Sequence, residues 1–217
     1  MKMKIDLIVV DMDGTAVQYP NKPFSSTWDA LQVILSEEEK IEWINLRDFY
    51  VGKPDLYKMW FNKQVALLKG KSVSDAERVL FPIPYSPGFL DFFRFNNCFK
   101  KAILSSGVDL VVKKIVEEAS FEYYLCQNLE AHDGFFTGKG LCWNSLDKVD
   151  HLRALSTHFR IDLNRACYIG DHPSDIPCFE SVRFPVAFNP RNGLEEYVVK
   201  TGISSIHDFR ELKQILY

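Results

Sequence analysis

Three short β-type runs punctuate the chain, "LIVV" at 7–10, "KAILS" at 101–105 and "ACYIG" at 166–170. Each ends in polar or glycine-containing sequence that can open a helix, and helical stretches lie between them. That alternation predicts an α/β fold, a parallel sheet with crossover helices on its faces. "RFPVAFN" at 183–189 reads as a further strand, although Pro185 cannot donate to a ladder. "CQNLEAHDGFFTGKG" at 126–140 has the Asp-Gly turn and flanking aromatics of a hairpin or short irregular strands.

Between Ala16 and Tyr85 the texture changes. "STWDALQVILSEEEKIEWINLRDFY" and "KPDLYKMWFNKQVALLK" carry apolar residues at helical spacing with charges between them, and no convincing strand appears. The prolines of "FPIPYSPG" at 81–88 mark the connector that ends this insertion. After "DKVDHLRALSTHF" at 147–159, a good amphipathic helix, the "ACYIG" strand begins.

The chain has 217 residues, 47% hydrophobic and 25% charged, enough for a substantial core. A net charge of -3 gives no broad basic face, which argues against nucleic acid as a partner. The run from Ile5 to Val10 is too short to span a bilayer and lacks a secretory cleavage pattern, so no membrane partner and a cytoplasmic location are expected. Five cysteines without a C-x-x-C pair suit reduced thiols.

The chemistry concentrates where the strands end. Carboxyl ends of strands in an open α/β sheet are where ligands sit, so "DMDGT" after the first strand sends Asp11 and Asp13 toward a crevice. A turn and helix cap is the structural alternative. A calcium loop is rejected, because the glycine and glutamate it needs are replaced by Ala16 and Lys22. "YIGDHPSD" places Asp171 and Asp175 after another strand, in a loop opening a helix. Four carboxylates at neighbouring strand ends repel one another unless a cation compensates them, and oxygen-only ligands beside a phosphate point to Mg²⁺. Ser105, with Ser106 in "LSSG", can offer a hydroxyl and helix-start N–H groups to an anion, or serve as a plain cap. Lys148, opening the helix that feeds "YIGD", can neutralise a phosphoryl oxygen.

Together "DMDGT", "LSSG", Lys148 and "GDHPSD" resemble the haloacid dehalogenase superfamily of phosphohydrolases. Their order and spacing are most similar to its phosphoserine-phosphatase branch, which carries a helical cap after the first strand. "VGKPDLYKMWFNKQVALLKGKSVSDAE" resembles that branch's cap, and "VAFNPRNGLEEY" its closing segment. The resemblance implies a Rossmann-like core at 1–15 and 86–217 and a mostly α-helical cap at 16–85. It implies that Asp11 is the nucleophile and Asp13 the general acid and base. Mg²⁺ would be held by the Asp11 carboxylate, the Asp13 carbonyl and Asp171, with Asp175 supporting directly or through water. Ser105, Ser106 and Lys148 would bind the phosphoryl group, with Lys139 as the fallback cation, and Gly14 would let the chain turn close to it.

Departures from the branch bear on the substrate. Residues 16–28, "AVQYPNKPFSSTW", hold no acid where members acting on phosphoserine place a glutamate, so an ammonium group loses its expected partner. The cap arginine of those members becomes, counting from Gly52, Lys63, which keeps the charge without the bidentate fork. Ser174 stands where asparagine is usual. Trp28, Trp43 and Trp60 lie in the cap, either as a small helical core or as a partly apolar lid. The expected function is a Mg²⁺-dependent phosphomonoesterase acting on a small phosphorylated metabolite. Phosphotransfer or mutase chemistry on the same aspartates is the enzymatic alternative, and a catalytically silent binding module the other.

Overall fold

The computed structural model describes residues 5–19, 26–50, 52–144 and 147–216. A seven-stranded sheet in the order β4-β3-β2-β1-β5-β6-β7 organises it. The strands are β1 (Leu7–Val10), β2 (Lys100–Val108), β3 (Tyr123–His132), β4 (Phe135–Leu141), β5 (Ala166–Gly170), β6 (Phe184–Phe188) and β7 (Ser204–Ile206). All neighbours run parallel except β3 and β4, which form the antiparallel hairpin turning at Asp133 and Gly134. The mostly parallel sheet with flanking helices bears out the expected α/β class. Pro185 sits within β6 because β7 joins only from Val186 onward, so the proline meets no ladder on that side.

Strand β1 is central and wholly buried, pairing with β2 on one side and β5 on the other. Its alternation sorts the core: Ile8 and Val10 face one layer, Leu7 and Val9 the other. Each such buried aliphatic stabilises the fold by about 1.5–3 kcal/mol. The second layer is completed by Leu152 and Leu155 of α7 (Lys148–Phe159), with Tyr168 and Phe179. Lys101 is buried on β2, where its ammonium donates to the carbonyls of Phe93 and Ala119 at the ends of two helices.

Between β1 and β2 lie α1 (Thr27–Leu31), α2 (Glu37–Tyr50), α3 (Tyr57–Ala66) and α4 (Val73–Leu80), then the short α5 (Phe89–Phe93). Ser36 and Glu39 cap α2 reciprocally, the Glu39 N–H donating to the Ser36 hydroxyl and the Ser36 N–H to the Glu39 carboxylate. Trp43, Phe61, Leu68 and Leu80 pack into the same core layer as Ile8 and Val10. The two ends of the insertion are tied together: Gln18 N–H donates to the Pro84 carbonyl at 2.8 Å and Ser86 N–H to the Ala16 carbonyl at 2.9 Å. Its far side bonds the β3–β4 hairpin, with Gly70 N–H donating to Phe136 and Phe136 N–H to Lys71.

Candidate active site

Because β1 is flanked by β2 and β5, the loops leaving all three strands converge at one edge of the sheet. They line a cavity of about 390 Å³ that includes Asp11, Asp13, Ser106, Lys148, Asp171 and His172, with Trp28, Trp43, Arg47, Trp60 and Gln64 from the insertion.

Lys148, the first residue of α7, is buried between two carboxylates, donating to Asp11 Oδ1 at 2.9 Å and to Asp175 Oδ1 at 2.8 Å. Burial opposes its charge, yet Asp11 and Asp175 outweigh that and hold its pKa above the ordinary lysine range. Burial pushes Asp11 up to about 7, against the pull of Lys148. Asp175 is fully enclosed; besides Lys148 it accepts from the Tyr168 hydroxyl at 2.7 Å and from the N–H groups of Asp171 and His172. It therefore braces the loop that carries Asp171.

Asp171 accepts from the Thr15 hydroxyl at 3.0 Å and pairs with the Arg191 guanidinium, and burial lifts its carboxyl to about 6. Arg191 also donates to the Asp13 carbonyl at 3.5 Å. Asp13 turns its carboxylate the other way, to the first turn of α1, accepting from Thr27 N–H and hydroxyl, both at 2.9 Å. Burial raises it to about 7. Gly14 has φ +89°, and a Cβ there would collide with Asp171 and Arg191, so both the backbone and the space demand glycine.

Asp11, Asp171 and Asp175 each offer a carboxylate oxygen within 4.8 Å of the others. These three groups offer only oxygen donors, and the three carboxylates share the two cations Lys148 and Arg191. That donor set and charge excess fit a hard divalent ion.

The structure thus brings Asp11, Asp13, Gly14, Lys148, Asp171 and Asp175 together around one crevice. Ser105 is buried beside it, its hydroxyl accepting from Gly107 N–H at 3.1 Å, while the neighbouring Ser106 lines the cavity. Helix α6 (Asp109–Ala119) begins later than "LSSG" implied, because β2 continues through an irregularity until Val108 pairs with Gln127. Lys63 is exposed on α3 with its ammonium 5.9 Å from the Tyr50 ring centre, and it does not line the cavity. Lys139 is likewise exposed, on β4. Residues 20–25 of the acid-free stretch lie outside the described residues. Sequence reading missed Thr15, Thr27, Arg47, Gln64, Tyr168 and Arg191. All five cysteines are free, and no helix among the described residues is long and apolar enough to cross a membrane.

The sequence matches the family of haloacid dehalogenase-like hydrolases over residues 8–180. It is 26% identical to a phosphoserine phosphatase of Idiomarina loihiensis over 90% of this chain and 87% of that protein. It is also 26% identical to one of Methanocaldococcus jannaschii, over 100% of this chain and 98% of that protein. Among solved structures, a substrate-bound phosphoserine phosphatase superposes with a TM-score of 0.75 at 23% identity, covering 99% of both chains. A HAD family hydrolase from Salmonella enterica gives 0.78 at 20% identity, over 97% of this chain and 70% of that one.

Proposed function

The chain belongs to the haloacid dehalogenase-like hydrolases and is an enzyme of their phosphatase type, and from that premise we propose a Mg²⁺-dependent phosphomonoesterase working through an aspartyl phosphate on Asp11. The observation that carries this reading is the crowding of Asp11, Lys148, Asp171 and Asp175 at the ends of β1 and β5, with Ser106 of β2 beside them. Asp11 attacks phosphorus as a carboxylate, held in line by Lys148, which also receives a phosphoryl oxygen together with Ser105 and Ser106. Asp13, whose carboxyl burial lifts to about 7, gives its proton to the leaving alkoxide and then takes one from the water that cleaves the acyl phosphate. Asp11, Asp171, Asp175 and the Asp13 carbonyl would hold Mg²⁺. The ion, when bound, neutralises charge between carboxylates and phosphate.

In this reading residues 1–15 and 86–217 are the catalytic core and 16–85 the cap, whose paired ends at Ala16 and Ser86 make a compact hinge. The substrate is a small phosphorylated metabolite. Measuring phosphate release from a panel of phosphomonoesters, with Mg²⁺ or with EDTA, tests the reading. Turnover present with Mg²⁺ and lost with EDTA supports it; turnover indifferent to EDTA contradicts it.

A further inference from the structure

The cavity wall facing the carboxylates comes from the insertion, and its chemistry is unlike that of the phosphate end. Trp28 and Trp43 meet there with ring centres 5.8 Å apart. The Trp28 indole N–H is committed to the Ser106 carbonyl at 2.9 Å, so what this half-buried ring offers a ligand is its face, with the buried Trp43 packed behind it. On α3, Trp60 and Gln64 stand one turn apart on one face, and both line the cavity. Trp60 Nε1 and Gln64 Oε1 are buried and have no hydrogen-bond partner among the described residues. Gln64 is only 2% exposed. Buried polar atoms are nearly always paired, so an orphan donor and an orphan acceptor one helical turn apart on the same cavity wall point to a ligand that supplies both partners.

Resting on the phosphomonoesterase reading, we propose that this wall selects the alcohol half of the substrate, and that this half is a flat heteroaromatic ring bearing a hydrogen-bond donor and acceptor at its edge. The ring lies against the Trp28 indole while its edge accepts from Trp60 Nε1 and donates to Gln64 Oε1. Arg47, exposed at the rim and paired with Asp48, lines the outer side of the same cavity. An alkyl alcohol would leave both orphans unpaired, and a compact polyol would leave the indole face against polar groups. The cavity, about 390 Å³, lies in the range of pockets that enclose ring-sized ligands.

The test compares kcat/KM for pyridoxal 5′-phosphate and uridine 5′-monophosphate with that for glycerol 3-phosphate and phosphoserine, in the natural protein and in Gln64→Leu. Ring-bearing esters are expected to lead by about tenfold or more, and in Gln64→Leu the ratio of ring-bearing to aliphatic kcat/KM should fall on the order of tenfold. A ratio does not depend on how much of the variant folds. Equal or better use of the aliphatic esters, or an unchanged ratio in Gln64→Leu, overturns the inference. If no ester is hydrolysed, the phosphomonoesterase reading falls, and the pocket is judged by tryptophan fluorescence with pyridoxine and uridine. Saturable quenching then supports the ring site, and its absence overturns it.

Discussion

Thr27 holds both carboxylate oxygens of Asp13, its N–H donating to Oδ1 and its hydroxyl to Oδ2, each at 2.9 Å. The same hydroxyl accepts from Val108 N–H at 3.2 Å, so one residue of the insertion joins the β1 loop to the end of β2. The proposed acid and base is therefore aimed by the insertion itself. Thr27→Val keeps the shape and removes the hydroxyl. We predict a kcat lower by about 10- to 100-fold for esters with poor leaving groups, less than the roughly 10²- to 10⁴-fold that general acid catalysis supplies, because the Thr27 N–H still holds Asp13. The loss should shrink for esters whose alkoxide needs no proton, which a leaving-group series measures.

Lys148 is the counter-charge of two buried carboxylates. Lys148→Met leaves Asp11 and Asp175 uncompensated, and removing one partner of a buried pair costs about 3–5 kcal/mol. Urea denaturation of the metal-free protein should show a loss that grows toward that size as pH rises above about 7, because Asp11, already raised to about 7 with Lys148 present, goes higher without it. It should be smaller at acid pH, where Asp11 takes up a proton.

Burial raises Asp11 and Asp13 to about 7 and Asp171 to about 6, from an ordinary 3.8. Between those values the folded chain keeps protons that the unfolded chain has lost. Their contribution to stability is thus full below 3.8 and is lost as pH rises through about 6 to 7. Thermal melts in EDTA should show Tm falling across that window, with a shallower fall in Asp171→Asn. Added Mg²⁺ should raise Tm more above pH 7 than below it, because the ion binds the ionised carboxylates.

Gly14→Ala combines a left-handed backbone, φ +89°, with a Cβ directed into Asp171 and Arg191. The backbone alone costs about 1–2 kcal/mol, and relief of the collision displaces Asp171. The variant should need a higher Mg²⁺ concentration for half-maximal activity, read from a metal titration.

Much of this architecture is legible in the sequence because strand ends carry their own punctuation. "LIVV" and "ACYIG" coincide with β1 and β5, and the aspartates following them meet because β1 and β5 pair directly. Thr27 and Arg191 are not singled out by the sequence: each reaches the site through a contact distant in sequence, Thr27 with no motif around it and Arg191 within "VAFNPRNGLEEY", a stretch whose likeness assigns the arginine no role. Lys63 shows the limit of counting along the segment between β1 and β2. Its neighbours Trp60 and Gln64 share the cavity face of α3, and a residue one step before Gln64 is turned about a quarter of the way around the helix, toward Tyr50. The later start of α6 has a similar cause, since strand pairing with β3 overrides the helix-start character of "SSG".

The central claim is that Asp11 carries the phosphoryl group. It is tested most directly by mixing enzyme, Mg²⁺ and a substrate ester, quenching in acid within the first turnovers, and mapping phosphate by peptide mass spectrometry. The account predicts a hydroxylamine-labile phosphate on the peptide containing Asp11, absent in Asp11→Asn together with steady turnover. Steady phosphate release by Asp11→Asn, or a natural enzyme that turns over without ever labelling that peptide, would contradict it.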